Sequence, residues 1–234
     1  MSNPVKIVGA LFVIIMVSYA IYALLANPTL ANLRKNRAAI MMNETVPTTI
    51  RTLQEEATEY SIHIEYPEFG IPVIDTVVQD AMVESAGAFK EQAVHDTPVL
   101  RGLRQYELFG TVASTYAGPD VVSARIVLSQ DFGGAHPLPV IVTFNFDRAS
   151  GRALTLDDAL AMTGLSLETL ASGALSQLAG SLGEEVIFLQ GAEGKVENYQ
   201  TFVFDERTIT FIFQPYQVAP YAAGAPEVSF VRVR

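Results

Sequence analysis

Seven residues do most to limit the folds open to this chain. From Tyr60 to Tyr66 the sequence alternates strictly. Tyr60, Ile62, Ile64 and Tyr66 share one face, with Ser61, His63 and Glu65 on the other. A period of two with one apolar face is the pattern of a half-buried strand. Pro67 is read as its end. The period then changes. Pro72 suits the first turn of a helix, where a missing N–H costs nothing. Ile71, Ile74, Val78, Met82 and Phe89 recur at helical spacing, with Asp75, Asp80, Glu84 and Glu91 mostly opposite. This predicts an amphipathic helix over residues 72–94, packed on the sheet.

Further strands follow without intervening helices. Residues 106–116 read as one, closed by the turn Gly118-Pro119-Asp120. Val122, Ala124, Ile126 and Leu128 give the next its apolar face, and Val140, Val142, Phe144 and Phe146 alternate in a third. Turn-separated runs of this kind predict an antiparallel meander. Thr155 can cap a short helix with Asp157 and Asp158 at its positive end. Residues 165–182 read as a second helical segment, weakened by Gly173 and Gly180. Residues 202–204 and 208–213 form a hairpin around Asp205-Glu206, and residues 228–233 a last strand. The expected fold is α+β: an antiparallel sheet with packed helices, preceded by one N-terminal transmembrane helix.

That transmembrane expectation rests on residues 7–26, which contain no charge. About 20 such residues in a helix span roughly 30 Å of hydrocarbon. The run exceeds a usual signal-peptide core, so it is read as a retained anchor over residues 1–27 rather than a cleaved leader. Residues 28–51 form a basic juxtamembrane stalk, with Arg34, Lys35 and Arg37, and Val46-Pro47-Thr48-Thr49-Ile50 marks a boundary. Residues 52–234 make the folded module, divided near residue 117. By the positive-inside rule the stalk charges favour a cytoplasmic module.

Charge is distributed unevenly. Residues 1–51 carry five Lys/Arg and one acid, while residues 52–234 carry ten Lys/Arg and 24 acids, net −14. Such a module repels nucleic acid and anionic lipid and attracts basic partners. Cys is absent, which excludes disulfides, thiolate metal sites and a Cys nucleophile. The serine-hydrolase elbow, the zincin helix, the phosphate-binding loop and the dinucleotide fingerprint are all missing. No metal set, cofactor or catalytic residue is assigned.

Two stretches stand out as candidate binding sites. Gly133-Gly134-Ala135-His136 joins two predicted strands. Its glycines permit close backbone approach, and His136 could act as base or ligand or simply hydrogen-bond locally. Near the C-terminus, Pro215-Tyr216 and Pro220-Tyr221 repeat a Pro-Tyr pair on a connection that cannot lie inside a sheet. Tyr216 and Tyr221 are either exposed stacking platforms or plugs at the core edge. His63 and His95 are read as solvated and helix-terminal. The adjacent acid pairs Glu55-Glu56, Asp157-Asp158 and Glu184-Glu185 point apart and form no shared-proton dyad.

Residues 60–67 with the following helix, the Gly133–Leu160 stretch and the Phe202–Gly224 stretch together resemble one family. It is the paired module of RsiV-type anti-sigma factor ectodomains and PdaC-type peptidoglycan deacetylases. The resemblance covers roughly residues 55–234. It implies a membrane-tethered extracytoplasmic module, against the charge rule. It further implies a binding or sensing role toward a cell-wall glycan or a lysozyme-like basic protein, without the sigma-binding or deacetylase parts. The alternative reading is a wall-glycan hydrolase or deacetylase-like enzyme using His136.

Overall fold

The computed structural model describes residues 48–100 and 105–233. The expected transmembrane run and most of the stalk lie outside these residues. Among the described residues no helix is long and apolar enough to cross a membrane. The fold is α+β, with a five-stranded sheet in the order β1-β2-β3-β4-β5 and a three-stranded sheet in the order β6-β7-β8. The chain divides into two compact units. Within the described residues, one comprises 48–100, 105–113 and 126–142, the other 114–125 and 143–233.

In the first unit, β1 (Thr49–Glu56) pairs antiparallel with β2 (Tyr60–Glu68). Helix α1 (Pro72–Leu100) follows, and β3 (Tyr106–Ala117) returns parallel to β2. The burial of β2 obeys its alternation, with Ile62 and Ile64 fully covered and Ser61, His63 and Glu65 partly open. Ile74, Val78, Met82 and Phe89 of α1 are fully buried, and the helix packs on β2. Leu108 of β3 and Ile126 and Leu128 of β4 (Val121–Asp131) extend this core. Gly110 is required here. A Cβ at that position would lie 2.8 Å from Ile64 and 2.9 Å from Leu128.

Three expectations need correction. The sheet is mixed rather than purely antiparallel, because a 29-residue helix separates β2 from β3 and a crossover of that length delivers a parallel strand. Strand β1 is unforeseen. Its residues are mostly exposed, so they lack the apolar alternation that marks a half-buried strand. Pro67 does not end β2, which continues to Glu68. Pairing with β3 stops at Ile64, so Pro67 faces β1 alone and removes no ladder bond to β3.

The second unit holds β5 (Leu138–Asp147) from Thr143 onward, α2 (Leu156–Thr163), α3 (Leu167–Leu182), β6 (Phe202–Phe204), β7 (Thr208–Ile212) and β8 (Glu227–Val231). Its core joins Leu156, Leu170, Ala174 and Leu178 to Tyr199, Phe202, Phe204, Ile209, Phe211 and Phe213. Tyr199 is wholly buried, donates to the carbonyl of Ala192 at 2.7 Å, and its phenol is pushed up to about 12 by burial. Gly173 lets β8 approach α3, since a Cβ there would stand 2.9 Å from the Phe230 ring.

Helix α2 begins as the sequence predicts. The Thr155 hydroxyl accepts from the Asp158 amide while the Asp158 carboxylate accepts from the Thr155 amide at 2.8 Å. Arg152 grips the same carboxylate with two bonds of 2.8 Å. The arginine and the capping bonds hold Asp158 down to about 2. A carboxyl depressed in the folded state contributes stability that is present above its unfolded value and lost as pH falls through about 2. Between pH 4 and pH 2 the chain should lose melting temperature, and Asp158→Asn should lose less over that window. At pH 7 the same variant should be destabilised by about 1 kcal/mol through loss of the Arg152 ion pair, since Asn keeps an oxygen for the Thr155 amide.

The C-terminal segment is fastened by one buried cation. Arg232 has a side chain only 2% exposed, pairs with Asp120 and lies 5.4 Å from the Phe204 ring centroid. Removing Asp120 strands a buried charge, whereas an apolar residue at 232 removes the charge itself. Asp120→Ala is therefore expected to cost about 3 kcal/mol, the low end of the range because Asp120 is half exposed. Arg232→Met should cost clearly less. Urea denaturation of both variants checks the order.

Candidate functional site

The two candidate stretches lie in different units. In the first unit, the loop after β4 opens with Asp131, whose carboxylate accepts from the Gly133 amide at 2.8 Å. Gly133 takes a φ of 71°, which favours glycine. Gly133, Gly134 and His136 are all exposed. The His136 ring meets the carbonyl of its own neighbour Pro137 at 3.0 Å. Beneath the loop, Phe132 packs on Phe89 at 4.9 Å and on Tyr106 at 5.3 Å between ring centroids. Thus the loop is moored by an aromatic cluster. Among the described residues no group of three His, Asp and Glu side chains converges to hold a metal.

His63 stands on the open face of β2, stacked on Phe109 of β3 with centroids 5.4 Å apart. The side chain of His95 lies outside the described residues. Sequence reading treats the histidines singly and misses the pairing of His63 with Phe109, because the parallel register that makes them opposite neighbours is a tertiary outcome.

In the second unit, the chain leaves β7 at Phe213 and turns through Gln214-Pro215-Tyr216-Gln217. Tyr216 is 50% exposed and adopts a φ of 70°, the one positive value at a non-glycine among the described residues. A side chain held there costs roughly 1–2 kcal/mol. Tyr221 is half-buried at the start of a 3-10 turn, Tyr221–Ala223. The two rings face each other at 5.5 Å with a 35° tilt.

The loop is held by Gln217. Its side-chain oxygen accepts from the Gln214 amide at 2.9 Å, and its side-chain nitrogen donates to the carbonyls of Gly191 at 2.9 Å and Asn198 at 3.0 Å. A Cβ at Gly191 would collide with the Gln217 carbonyl, so glycine is needed for this approach. The Phe188 amide donates to the Val218 carbonyl at 2.8 Å. This brings the exposed residues Phe188 and Leu189 alongside the loop backbone. Sequence reading missed Gln217 and Gly191. The available signal is position alone: Gln217 falls between the two Pro-Tyr pairs.

Chemically, this is an aromatic surface whose supporting loop is fastened by the Gln217 amide. Residues 167–231, from α3 to the end of β8, match the family model described as Protein of unknown function (DUF3298). The matched stretch contains both tyrosines and Gln217. The chain is similar to DUF3298 proteins. Two solved structures of that family agree in fold. The one from Pseudomonas aeruginosa has a TM-score of 0.57 at 18% identity, covering 81% of this chain and 92% of its own. The one from Bacteroides fragilis has a TM-score of 0.52 at 18% identity with the same coverage.

Among curated proteins, the chain is 25% identical over 180 residues to Immunogenic protein MPT64 of Mycobacterium tuberculosis, covering 75% of this chain and 76% of that one. It is 22% identical over 183 residues to the Peptidoglycan-N-acetylmuramic acid deacetylase PdaC of Bacillus subtilis. That likeness takes in 77% of this chain but only 39% of PdaC, so the chain spans about two fifths of the length of that relative. The expected likeness to a PdaC-type module therefore holds.

The strain at Tyr216 separates two truncations of the same ring. Tyr216→Gly relieves the left-handed conformation and Tyr216→Ala retains it. The glycine variant should be more stable than the alanine variant by about 0.5–1 kcal/mol, read from chemical denaturation.

Proposed function

We propose that this chain is a non-catalytic binding module, tethered to a membrane through residues 7–26 with its folded part outside the cytoplasm. Its ligand is a cell-wall glycan or a lysozyme-like basic protein, and Tyr216 and Tyr221 carry the contact. The observation that supports this most directly is the strained, half-exposed Tyr216 ring beside Tyr221 on a loop clamped by Gln217. Strain of this kind persists only where the surroundings over-determine it, and it clusters at ligand contacts. Rigid, amphipathic rings give large contact area at little entropic cost.

Charge supports the choice of partner. Residues 52–234 carry a net −14, which steers a basic protein toward the module at low salt. The same rings suit the apolar faces of sugars, and the likeness to part of a peptidoglycan deacetylase supports a wall-facing role. His136 sits on an exposed loop against its own neighbour's carbonyl, an arrangement suited to holding the loop rather than to catalysis.

Pull-down of lysozyme and of insoluble peptidoglycan across a salt series tests the reading. At least one should be retained at low salt, and the paired substitution Tyr216→Ala with Tyr221→Ala should weaken retention about tenfold or more. No retention of either at low salt, or equal retention by the double variant, would end the proposal.

A further inference from the structure

We propose that the outer edge of β1 is a pairing surface for a second copy of this chain, joining two five-stranded sheets through antiparallel β1 strands. This rests on the treatment of strand edges and is independent of the tyrosine site.

Both edges of the three-stranded sheet are blocked by side chains. On β6, Ser123 accepts from the Phe204 amide at 3.0 Å and Asn145 donates to the Phe202 carbonyl at 2.7 Å. On β8, Gln177 accepts from the Ser229 amide at 3.0 Å and donates to its carbonyl at 3.1 Å. Each of these side chains takes hydrogen bonds that a further strand would otherwise claim. β1 has no such cover among the described residues. It is eight residues long, pairs with β2 on one side only and contains no Pro or Gly. A long unblocked edge of that kind is a template for another strand.

The sequence of β1 selects the occupant. Two copies of one strand related by a two-fold axis pair antiparallel, and directly opposite residues point to the same face. A residue must therefore sit opposite its own copy on the axis. With Leu53 on the axis, Arg51 falls opposite the partner's Glu55, and the symmetry repeats that pair. Placing Thr52 on the axis sets Arg51 against the partner's Leu53, and placing Glu55 there opposes two like charges. The Leu53 register alone matches opposite charges. Arg51, Leu53 and Glu55 all lie on the α1 side of the sheet, opposite Tyr66, Ile64 and Ile62. Arg51 already reaches Glu68 at 2.8 Å, and the Glu55 carboxylate accepts from Lys90 at 2.9 Å on one oxygen and from Tyr60 at 2.7 Å on the other, so a further partner would share an oxygen through its second lone pair. These side chains are 56% and 41% exposed, which leaves both open to a second partner.

Because the chain lacks Cys, one cysteine reads the register directly. The full chain carrying Leu53→Cys, in mild detergent with a copper–phenanthroline oxidant, should form a disulfide-linked dimer. Self-opposed residues in such a pair have Cα atoms about 4.5–5.5 Å apart, within disulfide reach. A cysteine at the exposed helix position, Thr76→Cys, provides the background rate. Adding Arg51→Glu or Glu55→Arg to the Leu53→Cys chain should each lower cross-linking about tenfold, from two repulsive pairs. Mixing those two chains in equal amounts should restore it, because their charges then match. Cross-linking through position 53 no faster than through position 76, or equal yields with and without the charge changes, would overturn the proposal.

Discussion

The second unit depends on one small buried network of polar side chains. Ser123 donates to the Asn145 side-chain oxygen at 2.7 Å, and the two together satisfy the Phe202 carbonyl and the Phe204 amide. β6 is only three residues long and lies at the edge of its sheet. Its outward backbone groups are buried, and an unpaired buried peptide group costs about as much as a lost hydrogen bond. A side-chain hydroxyl and amide supply what a neighbouring strand would. This lets Phe202 and Phe204 remain in a dry aromatic core with Tyr199, Phe211 and Phe213. Without the network, the same phenylalanines would be tied to a strand whose polar edge has no partner.

The tyrosine loop grows out of that core. Phe213 is the last buried residue before the chain turns, and Val218 and Ala219 are buried again within the loop. Between them, Gln217 reaches back to two backbone carbonyls, so the loop has little freedom to relax Tyr216 into an ordinary conformation. The strain at Tyr216 is thus sustained by the bonds that its neighbour Gln217 makes to Gly191 and Asn198. Stability given up at one exposed ring is offset by a well-satisfied amide beneath it.

Much of the scaffold was legible beforehand. The alternation at Tyr60–Tyr66, the helix from Pro72, the capping signal Thr155-Leu156-Asp157-Asp158 and the hairpin around Asp205-Glu206 all correspond to observed elements. Each is a local pattern whose periodicity or hydrogen bonding is completed within a few residues. β1 was not legible, because an exposed edge strand has no apolar period to display. Of the candidate site residues, Tyr216 and Tyr221 stood out through the repeated Pro-Tyr pair. Gln217, Gly191 and Phe188 did not, since their partners are up to 30 residues away.

The sequence by itself determined the α+β character, the start of the helix at Pro72 and the capped start of α2, and the placing of two tyrosines on a segment that cannot join a sheet. The reason is that hydrophobic period, proline geometry and helix capping act over one or two turns of chain. Only the tertiary structure decided that β3 returns parallel to β2, that His63 meets Phe109, and that Arg232 is buried against Asp120. It likewise decided that side chains of distant residues cover the edges of β6 and β8. Those outcomes depend on register and on the satisfaction of buried polar groups, and both are settled between residues far apart in the chain.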